Sequence, residues 1–126
     1  MEQYESIFER DWGLEVKMNK VDGINEHNFI DVIKVVLNKC TEINKKKILV
    51  DLTHFSQKLN TFKLFEAVIV TRQTIGAGSK LAFIAPHLVK NDKSNFVETA
   101  GFNRSVFIQY FTDKETAMEW LLKDKK

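Results

Sequence analysis

The chain has one cysteine, one proline, five glycines and three histidines in 126 residues. A single thiol, Cys40, excludes an internal disulfide. It falls inside an amphipathic helical pattern, so the reading is a buried, inert thiol; a nucleophile would need an adjacent base. His27, His54 and His87 are scattered and lack metal-ligand spacing, so neither a metal site nor a cofactor is expected. Charge of one sign is also scarce. A net charge of +2 is too small to argue for a nucleic-acid partner. Lysines gather at Lys45-Lys46-Lys47 and at Lys123, Lys125 and Lys126, and both groups read as solvated ends. No stretch approaches the roughly 20 apolar residues of a membrane span. The first residues, MEQYESIFERDWG, lack the apolar core of a signal peptide, and a cytosolic protein is expected.

What is present fits one domain over residues 1–126, with a hydrophobic fraction of 44% and ten phenylalanines to fill a core. There is no internal repeat, low-complexity tract or interdomain linker. Residues Tyr4 to Lys20 alternate with period 2 around Asp11-Trp12-Gly13, which predicts a β-hairpin. Leu14, Val16 and Met18 take one face of its second strand. Glu15, Lys17 and Asn19 take the other, expected to be wet. Asn25 is a candidate cap for a helix in which Phe29, Ile33, Val36, Leu37 and Cys40 face inward and Asp31, Lys34, Asn38 and Lys39 outward. Ile48 to Leu52 reads as a buried strand.

A second helix is expected after Asn60-Thr61, with Phe62, Phe65, Val68, Ile69 and Arg72 at helical spacing. The β-branched run Val68 to Thr71 has poor helix propensity, but the segment's length and its polar interruptions favour a helix. Gly76-Ala77-Gly78 predicts a turn, and Leu81 to Ala85 a strand stopped by Pro86. Asn95 to Ala100 predicts a short helix and Val106 to Phe111 the last strand. Thr112-Asp113-Lys114-Glu115 predicts a capping box in which Thr112 caps the Glu115 amide. Ala117, Trp120 and Leu121 stripe the final helix. The order is β-β-α-β-α-β-α-β-α, an α/β fold with a mixed sheet and about four helices.

Leu49-Val50-Asp51-Leu52, Thr99-Ala100-Gly101-Phe102 and the run from Phe111 to Leu121 follow one another in an order that resembles a STAS domain of the SpoIIAA-like group, related to bacterial anti-sigma-factor antagonists. The resemblance covers nearly the whole chain and implies a non-enzymatic regulatory module that presents the loop before the second helix to a partner protein. That surface would include Asp51, Phe55, Ser56, Leu59, Asn60, Thr61 and Phe62. Antagonists of the family carry Asp-Ser-Ser-Gly there, and a partner kinase phosphorylates a serine. An ungapped overlay from Asp51 places this motif on Leu59-Asn60-Thr61-Phe62. Its acid and glycine are missing, and Asn60 stands in the phosphoserine place. Thr61 is the remaining candidate phosphate acceptor. The alternative is that Asn60 and Thr61 cap the helix.

Other chemistry finds little purchase. Asp51, His54 and Ser56 have the residue types of a hydrolytic triad, but no Gly-x-Ser-x-Gly elbow accompanies them. Asp51 is expected to accept backbone N–H bonds at the strand end. Gly76-Ala77-Gly78-Ser79-Lys80 has neither the spacing nor the following helix of a phosphate loop. A second class of function is a carrier or sensor of a small lipophilic ligand, held in an apolar pocket near Phe55, Phe62 and Pro86. The hairpin or an exposed sheet edge would offer a place for two subunits to pair as a homodimer.

Overall fold

The fold is seen in a computed structural model that describes residues 7–18, 29–53, 61–85 and 102–123, with residues 61–63 described in backbone only. Five strands form one mixed sheet in the order β1-β2-β3-β4-β5. They are β1 (Ile7–Arg10), β2 (Gly13–Lys17), β3 (Lys47–Asp51), β4 (Ser79–Ile84) and β5 (Val106–Phe111). The hairpin β1–β2 is antiparallel and every later pair is parallel. Among the described residues there are three helices: α1 (Phe29–Ile43), α2 (Thr61–Ile75) and α3 (Lys114–Leu122). The architecture is therefore α/β. The helix expected over Asn95 to Ala100 lies outside the described residues.

Side-chain alternation divides the sheet into two faces. The parallel register places Leu14, Ile48, Leu81 and Ile108 in one row, and Val16, Val50, Phe83 and Tyr110 in the next. All eight are buried, and they join the apolar sides of α1 and α2 in the larger core. Phe83 and Tyr110 stack there with ring centres 5.4 Å apart. On the opposite face Leu49, Ala82, Ile84 and Phe111 form a smaller core with Ala117 and Leu121 of α3. Trp12, Met118 and Trp120 lie against its margin.

The expected inward and outward faces of α1 are as the sequence predicts. α2 is a helix through its β-branched run, but it is phased differently. Leu64, Ala67, Val68, Thr71 and Ile75 are buried, while Phe65 and Ile69 are half-buried and Arg72 is exposed. The buried Thr71 hydroxyl donates to the Ala67 carbonyl at 2.7 Å, so the helix backbone satisfies it.

Helix ends are set locally. Asn44 has φ 58° and follows α1. Its N–H bonds the Thr41 carbonyl at 3.3 Å, and the Lys45 N–H bonds the Cys40 carbonyl at 3.0 Å, which is the Schellman pattern. Gly76, at φ 82°, ends α2 with one bond from its N–H to the Arg72 carbonyl at 3.1 Å. The capping box at α3 is corrected. Asp113 caps the helix, accepting the Thr116 N–H at 2.8 Å, and Thr112 only donates its hydroxyl to Asp113 at 3.4 Å. A carboxylate accepts the amide better than a hydroxyl, and starting the helix one residue later lets Asp113 take that position.

Gly13 opens β2 where it crosses closest to β3. A Cβ there would overlap the backbone carbonyl oxygen of Lys47. A backbone atom in a ladder cannot swing aside as a long side chain can. Gly13→Ala is expected to lower stability by about 1–3 kcal/mol, read as a lower denaturation midpoint with an unchanged slope.

Candidate functional site

β2, β3 and β4 run in one direction, so their connections to the next elements leave from one carboxyl edge. This is the edge at which open α/β sheets usually bind ligands. Bonds just past the ladder hold it together. The Met18 N–H reaches the Asp51 carbonyl at 3.0 Å, Leu52 reaches Ile84 at 2.9 Å, and Ala85 reaches Phe111 at 2.9 Å.

Asp51 ends β3 at this edge. Its Oδ1 accepts the N–H of Thr53, two residues on, at 2.9 Å. That is an Asx turn, and it bends the chain away from the strand. The expected role of Asp51 as an acceptor of backbone N–H is therefore present. Asp51 is half-buried, in register with Lys17 on β2 and Ile84 on β4. Of the other residues assigned to the partner surface, Phe55, Ser56, Leu59 and Asn60 lie outside the described residues. Thr61 is the first residue of α2 and Phe62 the second. His54 and Pro86 also lie outside, so neither the neighbours of His54 nor the apolar pocket near Phe55, Phe62 and Pro86 is described.

The Gly76 to Lys80 segment is a helix-to-strand turn. Ser79 Oγ donates to the Gly76 carbonyl at 3.1 Å, and Lys46 Nζ donates to the Ala77 carbonyl at 2.9 Å. Lys80 Nζ donates to the carbonyls of Trp120 and Lys123, at 3.0 and 2.8 Å, and so caps the carboxyl end of α3. Cys40 is fully buried, and burial pushes its thiol up to about 12. Among the described residues, no three His, Cys, Asp or Glu side chains gather as metal ligands. No helix there is long and apolar enough to cross a membrane.

Sequence reasoning missed one constellation. Glu15 is not on a wet surface, being 1% exposed in a row with Phe8, Leu49 and Ala82. Its Oε1 meets Arg10 at 3.0 Å and its Oε2 meets Lys114 of α3 at 2.8 Å. Burial alone would push this carboxyl up. Hydrogen bonds from Lys114 and Arg10, together with their charges, outweigh that effect and hold it below the ordinary glutamate range. Alternation marks Glu15 as outward because it cannot see α3 arriving from far along the chain. The hairpin register alone does make Arg10 and Glu15 diagonal neighbours, a signal that was available.

Apolar exposure also sits away from the expected loop. Phe102 is 67% exposed, just before β5, with its ring edge-on to Phe107 at 6.1 Å. No family model, no curated protein and no solved structure matches the chain.

Two outcomes follow from this geometry. Asp51→Ala removes one side-chain acceptor and is expected to cost about 0.5–1.5 kcal/mol, measured by denaturant unfolding, with an unchanged circular dichroism spectrum. Cys40 should react with a thiol reagent at neutral pH only as fast as the protein opens, and at once in denaturant.

Proposed function

We propose that this chain is a regulatory binding module of the STAS type, similar to the SpoIIAA-like antagonists, and that it acts in the bacterial cytoplasm without catalysing a reaction. It presents the segment from Thr53 to Thr61, with the start of α2, to a partner protein. The observation that carries the reading is the Asx turn at Asp51. It ends the central strand at the carboxyl edge and sends the chain into that segment, and α2 begins at Thr61. Support also comes from the layout, in which an antiparallel hairpin leads into successive parallel strands. Rows of buried side chains make the sheet a rigid base for such a loop.

Asn60 in place of the phosphoserine separates this module from a phosphorylated antagonist. In this reading Asn60 caps α2, whose first residue is Thr61, and partner binding does not require a phosphate on Thr61.

Affinity capture from the native cell tests the proposal, comparing the intact chain with one whose residues 54–60 are replaced by glycine and serine. The expected result is a protein retained by the first and lost from the second, and retained equally by Thr61→Ala. Equal capture by the intact and loop-replaced chains would overturn it. Native mass spectrometry of the gently purified protein, if it shows a bound apolar small molecule, would favour the carrier reading instead.

A further inference from the structure

We propose that α3 is a detachable strap, released from the sheet as a unit while the rest of the fold stays intact, and that the Arg10–Glu15–Lys114 triad is its latch.

The two cores are the first reason. The larger core contains no residue of α3, and the smaller contains none of α1 or α2. Among the described residues, they share only the sheet between them. α3 is nine residues long, and only Ala117 and Leu121 are fully buried from it. A helix that short is marginal in isolation and depends on its docking. Among the described residues, losing it removes the smaller core and leaves the larger one whole, which is the condition for a unit that opens by itself.

The ties at the two ends of α3 are the second reason. At its carboxyl end, Lys80 of β4 holds the Trp120 and Lys123 carbonyls. At its amino end, Lys114 reaches down to Glu15 of β2, which Arg10 of β1 also holds. Arg10 and Lys114 are half exposed while the carboxylate between them is buried. Removing Lys114 leaves a buried charge with one partner fewer, and such breaks are costly. The latch therefore couples hairpin, sheet and helix through one carboxylate.

The neighbours of Glu15 decide what acid does to it. Phe8 faces it from β1 and Leu49 from β3. Lys17 lies two residues along its own strand, and Lys47 and Asp51 flank Leu49 on β3. From α3, Lys114 makes the contact, while Glu115 and Glu119 are exposed. Cations dominate near the carboxylate, so its charged form is favoured in the docked state. A group held below its unfolded value stabilises above that value, and the contribution is lost as pH falls through the folded one. Acid thus loosens the strap. Asp113, the cap of α3, is also held low, chiefly by the Thr116 N–H, and fails in the same direction. A variant at neutral pH separates the two.

Trp12 and Trp120 both lie against the smaller core, so tryptophan fluorescence reads this face of the sheet. The test follows fluorescence, far-ultraviolet circular dichroism and hydrogen exchange resolved by mass spectrometry, from neutral pH into acid. For the intact chain the fluorescence change is expected to precede the main loss of circular dichroism. Glu15→Gln at neutral pH should lower amide protection over α3 by about tenfold while leaving α1 unchanged. Its fluorescence should also depend less on acid. Lys114→Met unties the helix from its own side and leaves Arg10 on Glu15, so it serves where Glu15→Gln does not fold. Loss of protection over α1 and α3 together would overturn the proposal. So would unchanged α3 protection in a folded variant.

Discussion

Burial of β3 from both sides is the constraint on which the rest depends. Ile48, Leu49 and Val50 are successive residues and all are buried. Because neighbours on a strand point to opposite faces, three buried in a row need cover above and below. α1 and α2 cover one side and α3 the other. Everything charged near this strand is pushed to its ends, where Lys47 and Asp51 are half-buried. Glu15, one strand away and in the row of Leu49, is the exception, and its two cations are what make it tolerable.

The order of elements was legible in local pattern. The hairpin stands where alternation puts it, β3 and β4 where short apolar runs put them, and the helices where apolar residues recur at helical spacing. β5 runs from Val106 to Phe111 as predicted. Cys40 was legible for the same reason, since it lies on the inward stripe of α1. What could not be read locally came from tertiary packing. α2 turned its stripe because its docking on α1 selects Leu64, Ala67 and Val68 over Phe65 and Ile69. Glu15 looked solvated because its second partner starts a helix at the other end of the chain. The cap of α3 moved by one residue because Thr112 and Asp113 can both serve, and the carboxylate prevails.

The candidate site was legible in position more than in content. Asp51 sits at the carboxyl edge and bonds a backbone N–H, as its place at the end of an apolar run implies. The residues after it lie outside the described ones, and the frame that carries them runs from Asp51 to the start of α2. That frame also gives the two faces of the sheet different characters. One side is sealed by two packed helices. Among the described residues, the other is closed by one short helix with polar ties at its ends.

Both edges of the sheet carry backbone bonds beyond the ladder, and the amino edge adds a lysine. At the amino edge, Asn44 to Lys46 and Gly76 to Gly78 make tight connections whose backbone and lysine bonds tie β3, β4 and β5 together. At the carboxyl edge β2, β3 and β4 end side by side at Lys17, Asp51 and Ile84, each followed by a longer connection to the next described element. Lengthening such a connection costs only about 0.6 kcal/mol per doubling. Insertions after β2, β3 and β4 therefore cost little while the bonds at both edges preserve strand register. A scaffold of this kind can accept changes at that edge without changing how it folds.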